Sequence, residues 1–77
     1  MRIARILASY SLTELAEASG KDTTYVSIVL SGKRVPSLRF LVALRDGINK
    51  LIDEPPVTMD ELCEWVDSLH ADEAIMA

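Results

Sequence analysis

The side chains best suited to binding a charged ligand lie between residues 31 and 39. Lys33 and Arg34 are adjacent cations in a segment, G-K-R-V-P-S, that is typical of an exposed loop. Ammonium and guanidinium groups bind phosphate oxygens through charge-assisted hydrogen bonds. Arg39 follows in the first turn of a predicted helix, where a nearby phosphate would offset the unfavourable helix dipole. We therefore expect phosphate contacts here, with an ordinary solvated turn as the alternative.

Catalytic and metal-binding groups are sparse in this sequence. No nucleophile–base pair or phosphate-binding glycine loop is present, and Cys63 and His70 do not have a recognised metal-ligand spacing. We expect no enzymatic activity, no cofactor and no metal. A single cysteine fits a reducing cytoplasm. No apolar run reaches the roughly 18 residues of a membrane span, and Arg5 interrupts the short apolar N-terminus, so no signal peptide is expected.

Two short helices joined by a tight turn are predicted within residues 11–32. Ser11 and Glu14 have the spacing of a capping box, which starts the first helix. Gly20 suits the left-handed backbone of the turn, and Asp22 can cap a second helix over about residues 23–31. The predicted buried residues are Leu12, Leu15, Ala16 and Ser19 on the first helix and Val26 and Val29 on the second.

This segment resembles the Cro/lambda-repressor-like (XRE-type) helix-turn-helix family over about Leu12 to Asn49. The family motif runs roughly L-T-x-x-x-L-A-x-x-x-G, then D-x-T-Y-V-S, then G-K-x-x-P-S. The matching residues are Leu12, Thr13, Ala16, Gly20, Asp22, Thr24, Tyr25, Val26, Ser27, Gly32, Lys33, Pro36 and Ser37. The resemblance implies an all-α, small five-helix lambda-repressor-like domain whose second motif helix lies in the DNA major groove.

The second motif helix has an unusual outer face for this family. The resemblance places Thr23, Thr24, Ser27 and Ile28 at base edges, and we expect Ser31, Lys33, Arg34, Ser37 and Arg39 at phosphates. No charged side chain occurs between Asp22 and Lys33, so arginine–guanine pairing is not available from the helix. We hypothesise readout through thymine methyl groups and DNA shape. Alternatively, Ile28 contacts the core or the C-terminal helix, while Tyr25 either stacks inside or bonds a phosphate through its hydroxyl.

Charge divides sharply along the chain. The formal net charge of the 77 residues is −4, but residues 1–50 hold all eight basic residues and four acidic ones, a balance of +4. Residues 51–77 hold eight acidic residues and no basic one. Such asymmetry indicates a basic half that approaches phosphate and an acidic half directed away from it.

Helices are also predicted on both sides of the motif. The first runs from Arg2 to Tyr10, with Arg2 and Arg5 on a solvated face or at phosphates. A fourth covers about Leu38 to Ile48, weakened by Gly47 and ended by Asn49 in a left-handed conformation. Its expected core residues are Leu38, Leu41, Val42, Leu44 and Ile48, with Phe40 at least partly buried.

An acidic helix is predicted after a Pro55–Pro56 boundary. Thr58 and Glu61 repeat the capping-box spacing, and the helix would run from Met59 to His70, followed by a frayed tail. Its apolar stripe is Leu62, Trp65, Val66 and Leu69. This stripe folds back on the core, forms a homodimer seam around Trp65, or does both. The organisation expected is a helix-turn-helix core over residues 1–52 and an acidic C-terminal helix and tail over residues 53–77.

Two functions fit these features. The first is a sequence-specific DNA-binding transcriptional regulator, similar to phage repressors of the Cro type or to controller proteins, acting as a homodimer on a two-fold operator in double-stranded DNA. The alternative is a helix-turn-helix protein-interaction module, such as an antitoxin, that binds a protein partner and does not read DNA directly. The uncharged outer face favours the alternative, whereas the basic loop and the split charge favour the first.

Overall fold

The computed structural model describes residues 2–70, which form five α-helices and, within that range, no strand. The helices are α1 Arg2–Ala8, α2 Leu12–Ser19, α3 Thr23–Leu30, α4 Leu38–Leu51 and α5 Met59–Leu69. The predicted all-α, five-helix fold is confirmed. The predicted frayed tail, residues 71–77, lies outside the described residues. Over the described part, no helix has the length and apolar character needed to cross a membrane.

The turn between α2 and α3 is fixed by the local interactions that the sequence predicts. Glu14 N–H donates to Ser11 Oγ at 3.1 Å, and Ser11 N–H donates to the Glu14 carboxylate at 3.0 Å. Gly20 adopts the left-handed conformation with φ of 69°. Asp22 then accepts a hydrogen bond from Thr24 N–H at 2.8 Å and caps α3. Together, the capping box, the left-handed glycine and the N-cap set the direction in which α3 leaves the turn.

The core is one cluster to which every helix contributes. Val26 and Val29 of α3 are fully buried, and Ala16 of α2 is buried with them. The cluster comprises Ile3, Ile6, Leu7, Leu15, Ala16, Val26, Val29, Phe40, Leu41, Leu44, Ile48, Val57, Leu62 and Trp65. Because the two valines point inward, the opposite face of α3 is directed outward.

The low helix propensity of Gly47 does not interrupt α4, and this glycine allows a close helix crossing. A Cβ atom at Gly47 would lie 2.7 Å from the backbone carbon and oxygen of Ala18 and 2.9 Å from the nitrogen of Ser19. Gly47 is buried, and α4 continues past it to Leu51. The missing side chain lets α4 pack directly on the backbone of α2.

Two expectations for α4 are wrong. Leu38 is 68% exposed, because the buried stripe instead begins at Phe40 and Leu41 and continues one turn later. Asn49 does not end the helix. Its amide nitrogen donates to Val57 O at 3.2 Å, and its amide oxygen accepts from Val57 N–H at 2.7 Å. Asn49 therefore holds the connection between α4 and α5 against α4.

The arginines of α1 take a role that neither sequence interpretation anticipated. Arg2 donates two hydrogen bonds to the Glu61 carboxylate, at 2.6 and 3.0 Å, and further ones to the carbonyls of Pro55 and Pro56. Arg5 pairs with Glu54 at 2.8 Å. The capping box predicted at the start of α5 is only half formed, since Thr58 accepts from Glu61 N–H while the Glu61 carboxylate binds Arg2.

Candidate nucleic-acid interface

The outer face of α3 is open to solvent and carries hydroxyl and methyl groups. Thr23, Thr24 and Ser27 are exposed, and Ile28 is half-buried beside them. The N-cap hydrogen bond at Asp22 and the burial of Val26 fix the rotation of this face. Its hydroxyl groups can donate or accept hydrogen bonds, and its methyl groups can pack on apolar atoms of a base edge.

Cations beside α3 are free of intramolecular ion pairs among the described residues. Lys21, Lys33, Arg34 and Arg39 are all exposed, and none forms a salt bridge within residues 2–70. The arginines elsewhere, Arg2, Arg5 and Arg45, pair with Glu61, Glu54 and Asp46 respectively. The unpaired positive charge therefore lies mainly around the two ends of α3, where it can attract phosphate.

The loop after α3 starts from a fixed geometry. Gly32 has φ of 80°, Gly32 N–H donates to Val29 O at 3.1 Å and Lys33 N–H donates to Ile28 O at 3.2 Å. This pair of bonds is a Schellman motif, which ends α3 at the predicted glycine. The backbone of Lys33, the first cationic residue of the loop, is therefore held in a fixed position at the end of α3.

The two serines predicted at phosphates differ in what they can offer. Ser31 Oγ donates to Ile28 O at 2.9 Å, so a phosphate contact through this hydroxyl would have to replace that bond, and the contact stays a prediction. Ser37 Oγ accepts from Phe40 N–H at 3.2 Å, capping α4. Because it acts there as an acceptor, its hydroxyl proton remains available for a phosphate oxygen.

Tyr25 is the site residue whose role the sequence left open. Its ring is stacked on the core, and a phosphate contact through its hydroxyl stays a prediction. Its ring packs on Phe40 with centroids 4.9 Å apart and a tilt of 54°. The guanidinium carbon of Arg34 lies 5.3 Å from the Tyr25 centroid. An open groove of about 280 Å³ adjoins this stack, lined by Lys21, Asp22, Tyr25, Ser37 and Phe40. Lys21 and the contact of Arg34 with the Tyr25 ring were not predicted, although Lys21 directly precedes the α3 cap in sequence.

The predicted dimer seam on α5 lies mostly inside the chain. Leu62 is fully buried and Trp65 is 5% exposed, so the stripe folds back on the core and a seam centred on Trp65 has no free surface here. Val66 and Leu69 are half-buried and pack against the same core. Leu69 also approaches the end of α3, since a Cβ at Gly32 would lie 3.8 Å from its carbonyl oxygen.

A comparison with protein families identifies this arrangement. The family model described as Helix-turn-helix matches residues 1–54, more than two thirds of the chain. The chain belongs to this family. The match confirms the resemblance to Cro/lambda-repressor-like proteins, a family of DNA-binding regulators. Comparisons with curated proteins and with solved structures found no match.

Proposed function

We propose that this helix-turn-helix protein is a sequence-specific transcriptional regulator that inserts α3 into the major groove and acts by occupying DNA near a promoter. The observation that carries the proposal is the open outer face of α3, bounded at both ends by exposed cations without intramolecular ion-pair partners in residues 2–70. The face would read base edges, while the cations would bind the phosphate backbone on either side.

Recognition by this face would rest on apolar contacts and shape. Thr23, Thr24 and Ile28 offer methyl groups that suit the thymine C5-methyl, and α3 has no arginine or lysine to pair with guanine. Selection of binding sites from random duplexes is the direct test. We expect A·T pairs at the α3 positions, and half-sites rich in guanine there would contradict this mode of reading.

Phosphate binding is assigned to Lys33, Arg34, Ser37 and Arg39. Replacing Lys33 and Arg34 together by alanine should weaken binding to all duplexes alike and reduce the salt slope by about 1 for each phosphate that the variant no longer neutralises. Lys50→Ala is the matched control, because Lys50 is an exposed cation at the far end of α4. Fluorescence anisotropy over a range of salt concentrations measures both. An unchanged slope in the double variant would overturn the assignment.

We further propose that the protein binds as a homodimer on a two-fold operator. The described chain is 37 Å long on its longest axis and carries one α3, so reading two half-sites about one helical turn apart, roughly 34–36 Å, would take two copies. Two copies on one side of the duplex would present two α3 helices to successive grooves. Sizing with and without selected duplex tests this, and a single copy bound at saturation would refute it.

A protein-interaction module is the second candidate function. It is favoured by the uncharged outer face of α3 and by the exposed apolar side chains Val35 and Leu38 next to it, which are 61% and 68% exposed. Such surfaces mark interaction sites when they are contiguous. If the protein selects no duplex even at low salt, this candidate replaces the first.

A further inference from the structure

We infer that Tyr25 is a positioning residue that holds Arg34 in place for a backbone phosphate, an inference that rests on the proposed DNA binding. The guanidinium carbon of Arg34 lies 5.3 Å from the centre of the Tyr25 ring, within the range of a cation–π contact. Arg34 is exposed and forms no ion pair in the described part of the chain. The aromatic ring is therefore the contact that restrains its cation.

The ring is itself anchored in the core. Tyr25 packs on Phe40 at 4.9 Å between centroids, and Phe40 is only 1% exposed. Tyr25 also belongs to the regular backbone of α3, whereas Arg34 lies in the irregular segment between α3 and α4. The Tyr25 ring, held by α3 and Phe40, thus supports the side chain of Arg34, whose own backbone segment has no regular secondary structure.

The Tyr25 ring that contacts Arg34 also lines a groove, together with Lys21 and Ser37. The Ser37 hydroxyl has a proton free to donate. The Asp22 carboxylate lines the groove as well, but it accepts from Thr24 N–H as the cap of α3, and Lys21 and Arg34 supply two cations against it. A guanidinium can stack through its flat face while its N–H edges bind an oxyanion, so stacking on Tyr25 does not prevent phosphate binding. Fixing the side chain beforehand lowers the entropy lost on binding.

A double-mutant cycle between Tyr25 and Arg34, read out as affinity for a selected duplex, tests the inference. Tyr25→Leu keeps apolar contact with Phe40 but removes the aromatic face, and it should weaken binding about 2- to 5-fold, as for an exposed cation–π contact. In an Arg34→Ala background the same change should have no further effect. An equal loss in both backgrounds would overturn the positioning role, because it would mean that Tyr25 acts through the fold alone.

Two conservative variants keep the test decisive. Tyr25→Phe retains the ring and should bind like the wild type, so a loss as large as that of Tyr25→Leu would assign the role to the hydroxyl and overturn the inference. Arg34→Lys leaves the ring on Phe40 undisturbed and keeps the charge without the planar group. It should lose affinity at equal charge even if Tyr25→Leu fails to fold, and unchanged affinity would count against the stack.

Failure of the proposed function gives a different result. If the wild-type protein binds no duplex at low salt, DNA binding fails and the positioning role fails with it. NMR of the free protein then still reports whether the Arg34 δ-protons carry a ring-current shift that Tyr25→Leu removes. If the wild type binds DNA but the cycle shows no coupling, only the role of Tyr25 is overturned.

Discussion

Replacing Gly47 by alanine should destabilise this protein, although the same change stabilises most helices. At an ordinary helical position the added methyl group raises helix propensity by about 1 kcal/mol. At Gly47 the new Cβ would lie 2.7 Å from the carbonyl carbon and oxygen of Ala18. Those are backbone atoms of α2, which cannot rotate away as the end of a side chain could. The two helices would have to move apart.

The size of the effect follows from these opposing terms. Overpacking a close contact costs about 1–3 kcal/mol, and the upper end applies because the obstacle is backbone. Subtracting the gain of about 1 kcal/mol in helix propensity leaves a net loss of about 2 kcal/mol in the free energy of unfolding. For a domain of this size, 1 kcal/mol corresponds to about 4–8 °C. The melting temperature of Gly47→Ala should therefore fall by about 8–16 °C.

Thermal unfolding followed by far-UV circular dichroism measures this shift. Lys50→Ala is a suitable control, because Lys50 is an exposed residue of the same helix and its replacement should change stability by no more than about 0.5 kcal/mol. A Gly47→Ala protein that melts at or above the wild-type temperature would refute the reasoning, since it would mean that α2 and α4 do not cross as closely as described.

Substitutions at three other residues test separate contacts. Glu61→Gln should lower the melting temperature at neutral pH. The Arg2 hydrogen bond lowers the pKa of Glu61, so this stabilisation is present above the ordinary pKa and is lost as the pH falls through the folded-state pKa. The melting temperatures of the wild type and of Glu61→Gln should therefore converge at acidic pH. A difference that stays the same at every pH would contradict the pairing of Arg2 with Glu61. Trp65→Ala should cost about 3–5 kcal/mol and leave little cooperative unfolding. Asn49→Ala should cost about 1–3 kcal/mol in urea unfolding by leaving Val57 N–H without its partner.

The parts of the fold that the sequence predicts correctly depend on short distances along the chain. The capping box joins Ser11 to Glu14, the αL turn is a property of Gly20 alone, and Asp22 caps through Thr24, two residues away. Each of these interactions is complete within one helical turn, so residue type and spacing are sufficient to predict it. For the same reason the outward face of α3 could be deduced from the spacing of two inward valines.

The contacts that were not predicted join residues far apart in sequence. Arg2 and Glu61 are separated by 59 positions, and nothing local distinguishes a paired arginine from a solvated one. Gly47 has the sequence signature of a helix breaker, and only the approach of α2 shows why a glycine is needed. The stack of Arg34 on Tyr25 depends on the path of the loop between α3 and α4, which residue patterns do not determine.

The N-terminal arginines do not add to the positive charge beside α3, because they are paired within the fold. Arg2 and Arg5 bind Glu61 and Glu54, so two charges of each sign are neutralised there and the net charge is unchanged. Charges separated by more than about 8–10 Å are largely screened at physiological salt. A phosphate beside α3 would therefore respond mainly to the nearby cations, such as Lys33 and Arg34, and not to the net charge of −4. The consequence is that removing Asp60, in the first turn of α5 and at the opposite end of that helix from the contact between Leu69 and Gly32, should alter affinity far less than removing the two loop cations.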